Sequence, residues 1–148
     1  MDHRYLAADL FMNDSNCAQA VLLAFGDVTG LDPKTAATLS SSFGGGMGRL
    51  REVCGAVSGM LMVLGVLYGY DKPDDVAKQA LYQQVQDLAG SFREQVGTIY
   101  CRDILDNPPS DPNPSPRTAA YYAERPCARM VMIAAGLMED FINSHPMN

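Results

Sequence analysis

The residues of this sequence that are best suited to chemistry are four cysteines, Cys17, Cys54, Cys101 and Cys127. A cysteine thiolate is both a nucleophile and a metal ligand, so these residues could exchange disulfides, close a zinc site or hold an iron–sulfur cluster. Their separations of 37, 47 and 26 residues differ from the CxxC pairs of zinc knuckles and thioredoxin-like sites. Spacing alone therefore leaves these chemistries open.

Each cysteine stands where a helix is predicted to begin. Cys17 follows the Asn16 cap, Cys54 follows the glycine-rich loop 44–48, and Cys127 follows Pro126. Cys101 precedes the short RDILD turn at 102–106. The free amides and partial positive charge of a helix start favour the thiolate, and so do neighbouring arginines. Those arginines are Arg49, Arg51, Arg102, Arg125 and Arg129. We therefore expect lowered cysteine pKa values, although buried free cysteines also occur simply as small core residues.

The hydrophobic periodicity predicts an all-α protein, with residues 1–148 forming one compact bundle of about five to seven helices. Caps, prolines and glycines mark where the helices begin and end. The predicted helices span residues 4–12, 17–30, 33–41, 54–69, 71–92 and 126–141. The 71–92 helix has an apolar face of Val76, Leu81, Val85, Leu88 and Phe92. Five prolines make residues 107–117 a surface loop.

The glycine-rich loop offers a second kind of candidate site. Gly44, Gly45 and Gly46, with Arg49, could bind a cofactor or an anion through backbone amides. The loop lacks the GxxxxGK[ST] spacing of a phosphate-binding P-loop, so close approach to a cysteine cluster or a ligand is the better interpretation. Gly55 and Gly59 similarly predict that another backbone approaches the helix after the loop.

Charge and hydropathy exclude several partners. The net charge of −6 disfavours nucleic acid, because that interaction depends on clustered Lys and Arg. Residues 53–70 form an uncharged stretch of eighteen residues, near the lower limit for a membrane span, but their small residues favour a buried core helix. The N-terminus lacks the pattern of a secretory signal, so a cytoplasmic location is expected. A homodimer is compatible with the Met and Tyr content.

Several segments together resemble the C-GCAxxG-C-C family of redox-active proteins. They are NCAQAV at 16–21, FGGGMGR at 43–49, CGAVSG at 54–59, CRDIL at 101–105 and PCARMV at 126–131. The resemblance covers about residues 13–135, and all four family cysteines have a counterpart, although the family label permutes the first two letters of CGAxxG. The family name records a presumption of redox activity, and members are often encoded beside transporter genes. The family is also similar to split-Soret cytochromes, but this sequence has no CxxCH, so covalent haem is not expected.

The resulting hypothesis is a redox-active protein, either a thiol-dependent oxidoreductase or an electron-transfer protein. In the disulfide version Cys54 attacks and Cys17 resolves, with a redox protein or a small thiol as partner. In the metal version the four cysteines hold zinc or an iron–sulfur cluster. The alternative is a non-enzymatic binding module associated with a transporter. His3 and His145 lie near the termini, where disorder is common, which disfavours a cysteine–histidine hydrolase.

Overall fold

The computed structural model describes residues 2–147, and in these residues the chain forms nine α-helices. They are α1 (His3–Met12), α2 (Cys17–Ala24), α3 (Gly26–Thr29), α4 (Pro33–Ser40), α5 (Gly55–Tyr68), α6 (Asp75–Val96), α7 (Cys101–Ile104), α8 (Ala119–Glu124) and α9 (Cys127–Ser144). A 3-10 turn, Ser41–Phe43, and a tight turn, Gly44–Met47, follow α4. The protein is all-α, as predicted. The β-type pairing found within residues 2–147 is one isolated bridge between Val53 and Tyr100.

Local capping explains where the central helices begin. Asn16 and Gln19 form a reciprocal capping box, in which the Gln19 amide donates to Asn16 Oδ1 (2.9 Å) and the Asn16 amide to Gln19 Oε1 (3.0 Å). Asp32 accepts from the Thr35 amide (3.0 Å), and Pro33 occupies the first turn of α4. Both starts agree with the prediction. The predicted 17–30 helix is divided into α2 and α3 at Phe25, and Gly30 ends it in a left-handed conformation.

The core lies where α2, α5 and α9 pack against one another. Its largest fully buried side chains include Leu22, Met60 and Met130. Gly59 lets α5 approach α2 closely, because a Cβ at this position would lie 2.6 Å from the carbonyl oxygen of Ala18. The prediction that a backbone approaches α5 at its glycines is confirmed.

The uncharged stretch 53–70 forms the buried core helix α5. Its 14 residues include the fully buried Val57, Met60, Val63 and Leu64. At 1.5 Å per residue α5 is about 21 Å long, shorter than the roughly 30 Å hydrocarbon layer of a bilayer. None of the helices within residues 2–147 combines the length and the apolar character that crossing a membrane requires.

Helix α6 differs from the prediction in the exposure of its N-terminal end. The helix begins at Asp75, within the predicted start at 71–75, and Asp74 caps it by accepting from the Val76 amide (2.9 Å). Val76 belongs to the predicted apolar face but is 79% exposed, whereas Leu88 and Phe92 are buried. Periodicity identifies residues on one face of a helix, but tertiary packing decides how far along its length that face is covered.

The N-terminal end of the chain is held by His3. The buried ring of His3 contacts Asp27 (3.0 Å) and Glu139 (2.6 Å) through its two nitrogens and stacks on Phe25 at 4.2 Å. These contacts join α1, α3 and α9. His3 lies near a terminus, where disorder is common, but these contacts hold it in the folded structure.

Candidate functional site

All four cysteines line one cavity of about 220 Å³. Cys17, Cys101 and Cys127 are the first residues of α2, α7 and α9, and Cys54 is the N-cap residue of α5. The prediction that each cysteine opens a helix is confirmed. Since these four helix starts meet at one end of the bundle, residues that are far apart in sequence become neighbours.

A short extended pairing brings Cys54 and Cys101 to the cavity. The Cys54 amide donates to the Ile99 carbonyl (2.7 Å), and the Cys101 amide donates to the Glu52 carbonyl (2.7 Å). Between them lies the isolated antiparallel bridge of Val53 and Tyr100. Two such hydrogen bonds fix the positions of the cysteine backbones directly. The pairing is too short to produce an alternating sequence pattern.

The glycine-rich loop passes directly behind the cysteines. A Cβ at Gly46 would lie 2.7 Å from the Cβ of Cys101, and a Cβ at Gly55 would lie 3.1 Å from the Cβ of Cys17. Only glycine therefore fits at these two positions without displacing a cysteine. Gly44, Gly45 and Gly46 all line the cavity, which agrees with the predicted close approach of the loop to a cysteine cluster.

Left-handed backbone conformations place two arginines beside the thiols. Arg49 and Arg51 have φ of 69° and 63°, values that non-glycine residues rarely adopt. Such a conformation costs roughly 1–2 kcal/mol for each residue, so it persists only where surrounding contacts fix it. Here the Arg51 amide donates to the Gly45 carbonyl (3.3 Å) and the Glu52 amide to the Gly46 carbonyl (3.0 Å).

Four arginines line the cavity: Arg49, Arg51, Arg117 and Arg125. Arg51 is 4% exposed, and its Nη1 donates to Cys101 Sγ (3.6 Å). Its Nη2 is buried and has no hydrogen-bond partner within residues 2–147. Arg117 donates to the carbonyl oxygens of Phe11 (3.0 Å) and Ser15 (3.1 Å).

The proline-rich loop covers this end of the molecule and is held there by the same arginines. Arg49 donates to the Asp111 carbonyl (2.8 Å) and to Ser115 Oγ (2.9 Å), and Arg51 Nε donates to the Pro109 carbonyl (3.0 Å). Most of residues 107–117 are exposed, as predicted, but Ser115 is half-buried and lines the cavity. The loop is therefore a wall of the site as well as a surface segment.

Cys17 and Cys127 line the cavity together and shift each other's pKa in opposite directions. Hydrogen bonding with Cys17, followed by the charges of Arg125, Arg117 and Arg51, lowers the pKa of Cys127 against the opposing effect of burial. Hydrogen bonding with Cys127 and burial raise the pKa of Cys17 well above its ordinary value. Of the two thiols, Cys127 is therefore the one whose surroundings favour the thiolate.

The other two cysteines favour the protonated thiol. Burial raises the pKa of Cys54 to about 12, although the backbone amides of Ala56 and Val57 act in the opposite direction. Burial also raises the pKa of Cys101, and the hydrogen bond and charge of Arg51 offset only part of this effect. The expectation of lowered pKa values agrees with Cys127 and was wrong for the other three cysteines. The interaction with Cys127, together with burial, raises the pKa of Cys17. At Cys54 and Cys101 burial outweighs the effect of the helix start.

The arginines that flank the cysteines in sequence divide into two groups in space. Arg49, Arg51 and Arg125 line the cavity, whereas Arg102 pairs with Glu52 (3.2 Å) and Arg129 is exposed. Sequence reasoning missed Arg117, which stacks on the rings of Phe11 (4.6 Å) and Tyr121 (4.9 Å). Its position at the end of the proline-rich loop carried no signal, because the nearest cysteine is ten residues away.

The donor set does not form a ready metal site. Among residues 2–147, no group of three or more His, Cys, Asp or Glu side chains is arranged to hold a metal ion. All four thiols are free, and three of them are buried. The four cysteines share a cavity, but their side chains as placed do not fit one tetrahedral ion.

The fold and the site together define a class of protein: an all-α bundle whose helix starts gather four free cysteines around an arginine-lined cavity. Residues 15–141 match the family described as "Putative redox-active protein (C_GCAxxG_C_C)". The chain belongs to this family, which the resemblance of its cysteine-bearing segments had predicted. Searches of curated proteins and of solved structures found no match.

Proposed function

We propose that this protein is a thiol–disulfide oxidoreductase in which Cys127 is the attacking thiolate and Cys17 the resolving thiol. The observation that carries the proposal is that Cys17 and Cys127, each the first residue of a helix, line the same arginine-lined cavity. Disulfide exchange requires a thiolate in reach of a second cysteine. The lowered pKa of Cys127 beside Cys17 supports this assignment.

The exchange proceeds in two steps. The Cys127 thiolate attacks one sulfur of a substrate disulfide, forming a mixed disulfide and releasing one substrate thiolate, which takes up the proton that Cys17 loses. Cys17 then attacks the Cys127 sulfur, forming the Cys17–Cys127 disulfide and releasing the second substrate half as a thiolate. The substrate disulfide is reduced to two thiols and the cysteine pair is oxidised. A protein dithiol or a small thiol reduces the pair again.

The assignment of the attacking residue changes from Cys54 to Cys127 for a physical reason. Cys54 is 6% exposed and remains a thiol near neutral pH, because burial raises its pKa to about 12. Arg51, which the sequence placed next to Cys54, contacts Cys101 instead. Cys54 and Cys101 then serve as buried members of the cavity wall.

The test is stoichiometric oxidation of protein that has been purified without oxygen. We expect 2-hydroxyethyl disulfide to consume two thiols, and peptide mapping to locate the new bond between Cys17 and Cys127. Cys17→Ser should trap the mixed disulfide on Cys127, and Cys127→Ser should abolish the reaction. Cys54→Ala distinguishes Cys127 from Cys54 as the attacking residue, because this variant should react as the unaltered protein does. If Cys54→Ala does not react and Cys127→Ser does, the attacking residue is Cys54.

Metal and sulfide analysis of the same preparation tests the competing use of the cysteines. Stoichiometric zinc, or iron with sulfide, together with few titratable thiols would contradict the proposal and establish a cysteine-held centre. Four unreactive thiols without metal would also contradict it. The non-enzymatic binding module would then be the better hypothesis.

A further inference from the structure

The cavity collects positive charge in a protein that is acidic overall. The net charge of the chain is −6, yet four of its eight arginines line this one cavity. The residues described as lining it include no Asp, Glu, Lys or His. A cavity with charged walls of one sign attracts ligands of the opposite sign.

Three of these arginines lack a carboxylate partner. Arg49 lies 3.7 Å from Asp111, but in the part of the chain that the structure describes no acidic side chain pairs with Arg51, Arg117 or Arg125. Among the described residues, these three guanidinium groups therefore have no carboxylate to balance their charge, which favours an anionic ligand in the cavity.

Arg51 supplies a specific unsatisfied donor. The residue is 4% exposed and lines the cavity, and its buried Nη2 has no hydrogen-bond partner within residues 2–147. A buried guanidinium donor without an acceptor is unfavourable, and a carboxylate is the acceptor that matches its planar geometry. The orphaned Nη2 therefore indicates an oxygen anion as the missing partner.

We propose that the cavity binds a small dicarboxylate, and that the substrate of the Cys17–Cys127 pair is a short aliphatic disulfide with a carboxylate on each half. The part about the substrate rests on the proposed function. Phe11, Ile104, Leu105 and Met130 supply apolar wall for the aliphatic part. A cavity of about 220 Å³ is smaller than the usual range for drug-sized ligands, which restricts the substrate to a compact molecule.

Binding is tested with a probe that cannot be reduced. In 3,3′-thiodipropionate a thioether replaces the disulfide, so calorimetry on the reduced protein measures recognition without chemistry. We expect one site per chain, affinity that falls with added salt, and no binding of the neutral 2,2′-thiodiethanol. Arg51→Gln should weaken binding by at least about tenfold. Arg93→Gln is the matched control on the exposed face of α6 and should bind as the unaltered protein does.

The substrate class is tested by the ratio of two oxidation rates. We expect 3,3′-dithiodipropionate to oxidise the pair about tenfold faster than neutral 2-hydroxyethyl disulfide, and we expect Arg51→Gln to bring this ratio close to one. The ratio of the two rates does not depend on the thiolate fraction of Cys127, because both disulfides react with the same thiolate.

The outcomes separate this inference from the proposed function. Absent binding of thiodipropionate, or equal binding by Arg51→Gln and the unaltered protein, overturns the anion site. If the neutral disulfide oxidises Cys17 and Cys127 as fast as the dicarboxylate does, the thiol exchange stands and the substrate class is wrong. If thiodipropionate binds through Arg51 but no disulfide oxidises the pair, the anion site stands and the thiol exchange is wrong.

Discussion

Cys17 and Cys127 occupy similar positions, yet their pKa values are shifted in opposite directions. Both are the first residue of a helix and both line the cavity. The pKa of Cys127 is lowered by the Cys17 hydrogen bond and the nearby arginines, while that of Cys17 is raised by the same hydrogen bond and by burial. A group with a lowered pKa stays charged further toward low pH. Reactivity near neutral pH should therefore concentrate on Cys127.

The first prediction concerns the pH profile of alkylation. Iodoacetamide is neutral and reacts with thiolates, so its rate at Cys127 follows the thiolate fraction. We expect the midpoint to lie below the ordinary value for a cysteine, because the surroundings of Cys127 lower its pKa. Cys17→Ala should move the midpoint upward, because the interaction with Cys17 is the largest cause of the lowered pKa. The measurement is the rate of peptide modification at Cys127 between pH 5 and 10, a range set about that ordinary value.

Cys54→Ala provides the contrast in this experiment. Cys54 stays protonated near neutral pH, since burial raises its pKa to about 12. Removing it should leave the Cys127 midpoint in place. Faster modification of Cys54 than of Cys127 in the native protein would contradict the assignment of the thiolate.

Helix packing places the cysteines because glycines let the backbones of neighbouring elements come close. Gly59 brings α5 onto α2, and Gly55 lets the start of α5 lie beside Cys17. The same helix carries Gly65, around which a Cβ would meet no atom within 4 Å. One helix thus contains a glycine that packing requires and another that packing does not require.

The second prediction is a contrast in stability between Gly59→Ala and Gly65→Ala. The added methyl at residue 59 would lie 2.6 Å from the Ala18 carbonyl oxygen, so the helices must move apart. We expect the free energy of unfolding to fall by about 1–3 kcal/mol, as for other overpacked cores. Gly65→Ala should raise it by roughly 0.5–1 kcal/mol, since alanine loses less backbone entropy in a helix.

Urea unfolding followed by circular dichroism measures both changes. Gly65→Ala serves as the control because it makes the same substitution in the same helix. Equal stability of the two variants would show that the approach of α5 to α2 is not fixed by Gly59.

At the scale of the whole molecule, one wall of the cavity is a loop that is remote in sequence from Cys17 and Cys54. The loop 107–117 is joined to the glycine-rich side through Arg49, whose Nη1 donates to Ser115 Oγ (2.9 Å). Arg125, two residues before α9, donates to the same oxygen (3.4 Å). Ser115 therefore connects both sides of the site, and we expect the loop to limit the access of a bulky reagent to the thiols.

The third prediction tests this closure with Ser115→Ala. The substitution removes two hydrogen bonds worth about 0.5–1.5 kcal/mol each, so the open population should increase by roughly fivefold to a hundredfold. The measurement is the rate at which monobromobimane, a neutral bulky reagent, labels Cys127 in the native protein. Ser110→Ala is the control, because Ser110 lies in the same loop and is exposed. Identical labelling rates in both variants would mean that Ser115 does not hold the loop closed.

Local signals in the sequence were sufficient for the helices and for the positions of the cysteines. The Asn16–Gln19 capping box, Pro33 and the periodicity of residues 55–68 depend on neighbours within a few residues, so the prediction and the structure agree there. The family also followed from short segments of sequence. The exposure of Val76 could not be predicted in this way, because elements distant in the sequence decide which part of a helix is covered.

Only the tertiary structure decided which residues surround each cysteine. Burial and the interaction of Cys17 with Cys127 act through space, between residues that are 110 positions apart in the chain. Arg117 reaches the cavity because the proline-rich loop folds back across it, and Arg51 meets Cys101 because a short backbone pairing aligns their segments. The sequence by itself determined which residues could do chemistry. Their pKa values and partners arose from burial and contacts that form only when the helix starts converge.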